Sequence, residues 1–219
     1  MRWSRLMSVL VSSLLVGAVG CGSSGSTDEL VLTFVGFTGE GIDQPDSVGG
    51  AAAQVDVCQD ICTSGGELSA EPYSETFVNA LFVNQGGTDI RLDSYTVSVP
   101  GSGLPDKTRQ GGANIPGGRC ESNSEQRCAL DADCGLLGSC VRQETTVELL
   151  LFDFEQKTVA VDGQCPFDVN TGEFTGGSVI PRNYPVFVTF EGHDVQTNDG
   201  VSISTGYSAT FANLNNCPE

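Results

Sequence analysis

Nine cysteines hold most of the reactive chemistry in this 219-residue chain. A thiol can carry an acyl or alkyl group, oxidise with a second thiol, or ligate a soft metal as its thiolate. Cys21 stands apart, directly after an apolar run; the other eight are Cys58, Cys62, Cys120, Cys128, Cys134, Cys140, Cys165 and Cys217. That even number suits a set of disulfides, with about a hundred connectivities open. Cys120, Cys128, Cys134 and Cys140 are spaced by eight, six and six residues. Structural zinc sites pair ligands roughly two to four residues apart, so oxidation explains these four better than a metal. Cys58 and Cys62, four apart, match neither a redox C-x-x-C nor the C-x-x-C-H of haem attachment.

His193 is the single histidine, and no G-x-S-x-G elbow accompanies it. A solvated turn residue is its simpler role. Spacing alone selects no pair among the 28 acidic residues, so a glycosidase reading has no support. The chain is therefore expected to have no catalytic residues and to be no enzyme. Asp194, Asn198 and Asp199 lie in a stretch of alternating oxygen ligands that superficially suggests a calcium loop. Its Gly200 is one place late for an EF-hand, and Thr205 stands where a closing Glu belongs. Hairpin chemistry explains the stretch more simply, since Asn, Asp and Gly tolerate positive φ. Asp131 and Asp133 form a second weak cation candidate, with ordering of a tight disulfide loop as the simpler role.

Arg2 and Arg5 precede an apolar run over residues 6–20, which closes on Ala18-Val19-Gly20-Cys21. This order is that of a secretory signal, and the run is short of the ~20 residues that span a bilayer. It resembles the signal of bacterial lipoproteins, departing from that family at Ala18, where Leu is commoner. The resemblance implies removal of residues 1–20, diacylglycerol on the Cys21 thiol, and a further acyl chain such as palmitate on its amine. It also implies a cell-envelope location, with the outer membrane expected, on a periplasmic or surface-exposed face. With Cys21 lipidated and the rest paired, no thiol is left over. Residues 22–27 then read as a flexible Gly/Ser tether. No other cofactor is expected.

Without residues 1–20 the chain has eight basic against 28 acidic residues, a net −20. Such a charge repels phosphate backbones and gives no help toward anionic lipid, so nucleic acid is excluded as a partner and the acyl chains make the membrane contact. The acids are scattered, as on a well-solvated surface.

The rest reads as strands punctuated by Gly, Pro, Asn and Asp. Strands are expected at residues 29–37, 54–58, 76–84, 90–99, 145–154 and 158–161. In the fourth, Ile90 and Leu92 share one face but Tyr95, Val97 and Val99 continue out of phase, which marks a bulge near Asp93-Ser94. Val186, Val188 and Phe190 alternate with Phe187, Thr189 and Glu191, and Val201, Ile203, Thr205, Tyr207, Ala209 and Phe211 alternate with mostly small or polar neighbours. A period of two held over twelve residues is a half-buried strand. No amphipathic helix is evident. About 7–9 such strands imply an all-β, antiparallel β-sandwich over residues 28–219. Residues 28–99 and 144–217 resemble bacterial immunoglobulin-like surface modules in general form. They lack the single cystine and core Trp of antibody domains, since the one Trp, Trp3, lies in the signal.

Residues 101–142, rich in Pro, Gly and polar side chains, read as an insert. Its Cys128-Ala-Leu-Asp131-Ala-Asp133-Cys134 followed by Cys140 resembles small secreted repeats of the C-x-x-D-x-D-C type. That resemblance implies that Cys120, Cys128, Cys134 and Cys140 pair among themselves, leaving Cys58, Cys62, Cys165 and Cys217 to staple the sandwich. The function expected is a non-enzymatic structural or binding module for another envelope or surface protein. The alternatives are a metal-dependent module or a carbohydrate-binding one, the latter presenting Tyr73, Tyr95 or Tyr184 on a sheet face.

Overall fold

The computed structural model describes residues 32–38, 52–64, 67–71, 74–161, 165–168, 171–214 and 217. Cys21, the signal, the tether and Tyr73 lie outside them. In chain order the first strands are β1 (Leu32–Thr38), β2 (Ala52–Asp56), β3 (Ile61–Ser64), β4 (Glu67–Ala70), β5 (Thr76–Asn84) and β6 (Ile90–Ser98). Next come β7 (Lys107–Ile115), β8 (Arg119–Cys120), β9 (Asn123–Arg127), the short helix α1 (Asp131–Cys134), β10 (Cys140–Val141) and β11 (Glu144–Phe152). Helix α2 (Phe154–Val161), β12 (Phe167–Asp168), β13 (Glu173–Phe174), β14 (Arg182–Asp194) and β15 (Gly200–Ala212) complete the order.

Two sheets form a sandwich, one ordered β1-β5-β11 and the other β2-β15-β14-β6-β7. Alternation makes both layers. In β5, Val78, Ala80 and Phe82 point inward, and in β14 Val186, Val188 and Phe190 do the same. The layers meet through aromatic rings: Phe82 and Phe190 sit edge to face at 4.9 Å, Phe37 and Tyr207 at 5.1 Å, Phe152 and Phe211 at 5.0 Å. Edge-to-face contact is the arrangement ring quadrupoles prefer, and each such fully buried side chain stabilises the fold by about 1.5–3 kcal/mol. The chain is thus an all-β sandwich with a cysteine-rich insert.

The phase slip is a bulge in β6: Asp93 is skipped in both ladders, between Leu92 and Ser94 against β7 and against consecutive Gly192 and Glu191 of β14. All sandwich ladders are antiparallel except β2, which runs parallel to β15. Two expectations require correction. Residues 158–161 are helical, because Asp153 and Gln156 form a capping box: Gln156 N donates to Asp153 Oδ1 at 2.9 Å, and Asp153 N to Gln156 Oε1 at 3.3 Å. The stretch 101–142 is also not all insert. Lys107–Ile115 is β7, an edge strand on β6, so the cysteine-rich part is confined to residues after Ile115.

The register defines two ends. Asn84, Ile90, Ile115 and the β14–β15 turn mark one, and Leu32 pairs with Asn84, so the chain enters β1 there. Thr76, Ser98 and Ala212 mark the other. At that far end Cys58–Cys165 and Cys62–Cys217 staple the sandwich, with sequence separations of 107 and 155. Polar groups reinforce them. Asp56 accepts from Leu214 N, Glu71 accepts from Asp60 N, and Lys157 Nζ donates to Ser74 O. Burial raises the Asp56 acid and lowers the Lys157 ammonium from their ordinary values.

Candidate recognition site

At the opposite end the chain leaves β7 through Pro116-Gly117-Gly118 into the cysteine-rich insert. Cys120 pairs with Cys134 and Cys128 with Cys140, so the four insert cysteines do pair among themselves. These sulfurs form the insert's own core, with Leu137 packed against it. The Sγ atoms of Cys120, Cys128 and Cys134 lie within 4.8 Å of one another, a spacing a metal could use. All are held in disulfides, and a metal ligates only thiolate, so the oxidised insert offers no zinc shell.

The two aspartates of the motif act on backbone. Asp133 Oδ2 accepts from Ala129 N at 2.8 Å and Leu130 N at 2.9 Å, and these bonds hold its acid below the usual range. Asp131 Oδ1 accepts from Cys140 N at 2.8 Å. They order the disulfide loop, the simpler of the two roles. Asp194 likewise accepts from Gln196 N and Thr197 N, and Asn198 has φ 62°, so Asp194, Asn198 and Asp199 make the β14–β15 turn. His193 Nδ1 pairs with Asp93 Oδ2 at 2.7 Å on the outer face of the sheet.

The insert docks through one carboxylate that sequence reasoning did not single out. Asp89 Oδ1 accepts from Gly117 N at 3.0 Å and Arg119 Nη2 at 2.6 Å, while Oδ2 accepts from Arg127 Nη2 at 3.1 Å. Burial by itself would raise this acid, but the Gly117 bond and the two guanidiniums outweigh it and hold it below its ordinary value. Arg119 Nη1 also donates to Gly117 O and Gly118 O. The neighbouring loop joins in. Val195 N donates to Asp89 O at 2.9 Å, and the Thr88 hydroxyl bonds Asp194. Buried Asn84 braces the same corner, its amide donating to Thr88 O and Ile115 O and its carbonyl accepting from Gly86 N. Gly118 N donates to Gly86 O at 2.9 Å, and Cys128 N to Gly118 O at 3.0 Å.

That approach leaves no room for a side chain. A Cβ on Gly118 would overlap Cys128 O and meet Cys140 Sγ at 2.7 Å, both on the residues of one cystine. Gly118→Ala is therefore expected to lower the unfolding free energy by about 1–2 kcal/mol. Urea unfolding of oxidised protein checks this, with Gly200→Ala, where a Cβ meets nothing, as the control.

Outward from this base the insert exposes apolar side chains. Leu136 is fully exposed and Leu130 is 63% exposed, both inside the loop closed by Cys128–Cys140. Gly135 and Gly138 flank Leu136 with φ of 52° and 92°, the left-handed region that a tight loop needs. The described tyrosines, by contrast, offer little surface. Tyr95 is buried with its hydroxyl on Leu150 backbone, Tyr207 is core, and Tyr184 packs its ring on Phe211. No family model matches this chain, and no curated protein matches it at a significant level.

Proposed function

We propose that this chain is a lipid-anchored envelope protein that acts as a non-enzymatic binding scaffold, with the cysteine-rich insert as its contact element. The membrane half of the reading rests on residues 1–21 and on thiol arithmetic. The eight other cysteines lie in four disulfides, which suits an oxidising compartment and leaves Cys21 for acylation. The observation that carries the binding half is the docking of the insert. A stapled loop clamped to a rigid sandwich presents exposed residues in a fixed geometry, which lowers the ordering cost of recognition.

Intact mass of protein purified from its native membrane tests the anchor. A species starting at Cys21 with three acyl chains, and no alkylation before reduction, is the expected result. An unmodified N-terminus or free thiols would sink it. The binding half has a separate test. Arg119 pairs with Val141, so the two ends of the insert are strand neighbours and an Asn-Gly turn can replace residues 120–140. That variant is expected to keep the sandwich's cooperative unfolding and lose its co-purifying envelope protein. Undiminished recovery would remove the insert from the reading.

A further inference from the structure

We infer that the insert docks onto a basic, partly apolar protein surface lying close to the membrane, an inference that rests on the lipid-anchored reading above. The first support is covalent length. Leu32 enters the sandwich at the insert end, and only the segment from Cys21 to Leu32 separates that end from the lipid. Eleven residues reach about 40 Å at full extension, so the sandwich end that carries the insert stays within about that distance of the bilayer. The contact is therefore made near the membrane.

The second support is charge. The insert has three cations: Arg119 and Arg127 are turned to Asp89 at its base, and Arg142 donates to Ala129 O at the edge of the Cys128–Cys140 loop. The loop between Cys128 and Cys140 carries Asp131 and Asp133 and no cation, with Glu121 and Glu125 exposed beside it. Four carboxylates against the one guanidinium of Arg142 leave the surface around Leu130 and Leu136 negative. An anionic lipid surface would be repelled by it, whereas a protein patch combining Lys or Arg with an apolar pocket would be complementary. Leu136 supplies the apolar anchor and the carboxylates the steering.

The test uses full-length acylated protein in its native membrane, with a photo-crosslinking amino acid at Leu136 or, as control, at Ile180. Ile180 is exposed and precedes the far end of β14, where Arg182 pairs with Phe211. The expected result is protein adducts from position 136 at about tenfold the yield from 180, joined to a segment of net positive charge. Raising salt, or Glu121→Lys with Glu125→Lys, is expected to lower that yield about fivefold or more. Adducts to lipid alone, to an acidic or neutral segment, or of equal yield at both positions would overturn the inference. Adducts from 180 but not 136 would overturn it while leaving a binding role intact. Adducts from neither position would overturn both.

Discussion

Joint replacement of Cys58 and Cys165 by alanine is expected to lower the unfolding free energy by about 2–5 kcal/mol. The bond spans 107 residues, so its loss restores much of the freedom that the unfolded chain lacks. It also follows β2, an edge strand whose ladder partner is β15. The insert bond Cys128–Cys140 spans only 12 residues and is the internal comparison. Chain entropy makes the sandwich bond worth about 2 kcal/mol more than this one. Urea unfolding of both double variants beside the parent checks the ordering. Equal losses would mean that native packing, and not loop closure, decides what these staples contribute.

The second large effect falls on Asp89. Asp89→Ala leaves Arg119, Arg127 and the Gly117 amide without their acceptor at a mostly enclosed corner. A loss of about 2–3 kcal/mol is expected, since hydrogen bonds to charged groups are the stronger kind. The disulfides hold the insert's internal fold, so the change is one of docking. Amide hydrogen exchange should rise at Gly117 and Gly118, whose bonds to Asp89 and Gly86 seat the insert, and stay low in β5 and β14. The sign with pH follows from the acid's lowered value. A carboxyl depressed on folding stabilises above its ordinary value of 3.8, and that contribution is lost as pH falls through the depressed value. The parent should therefore release the insert in acid, whereas Asp89→Ala should show the fast exchange at neutral pH as well. Unchanged exchange in the variant would contradict the docking role.

What the sequence disclosed followed from strict periodicity and from chemistry that leaves few choices. The alternation over residues 201–212 is β15, and the slip at Asp93-Ser94 is the bulge, because the face a strand buries is written in its period. The grouping of insert and sandwich cysteines came from the resemblance of residues 128–140 to C-x-x-D-x-D-C repeats, and the bonds Cys120–Cys134 and Cys128–Cys140 agree with it. Lys107–Ile115 was not legible. An edge strand buries little, and its run of Lys, Thr, Arg, Gln and Gly carries no apolar alternation beyond the buried Ile115. Helix α2 was masked by the β-branched Thr158, Val159 and Val161, although Asp153-x-x-Gln156 was a start signal open to reading. Asp89 was out of reach, because its partners Arg119 and Arg127 are 30 and 38 residues away and one acid among 28 has no mark of its own.

Cys62–Cys217 has a consequence beyond the folding equilibrium. It turns the chain after β2 into a covalent ring that joins positions 155 apart in sequence. A peptidase that cuts once anywhere within that ring opens it without releasing a piece, since both new ends stay attached through the sulfur bridge. The two strands on either side of the cut keep their partners in the sheets, and the insert keeps its seat on Asp89. A nicked molecule would run as fragments only after reduction and would otherwise remain one body.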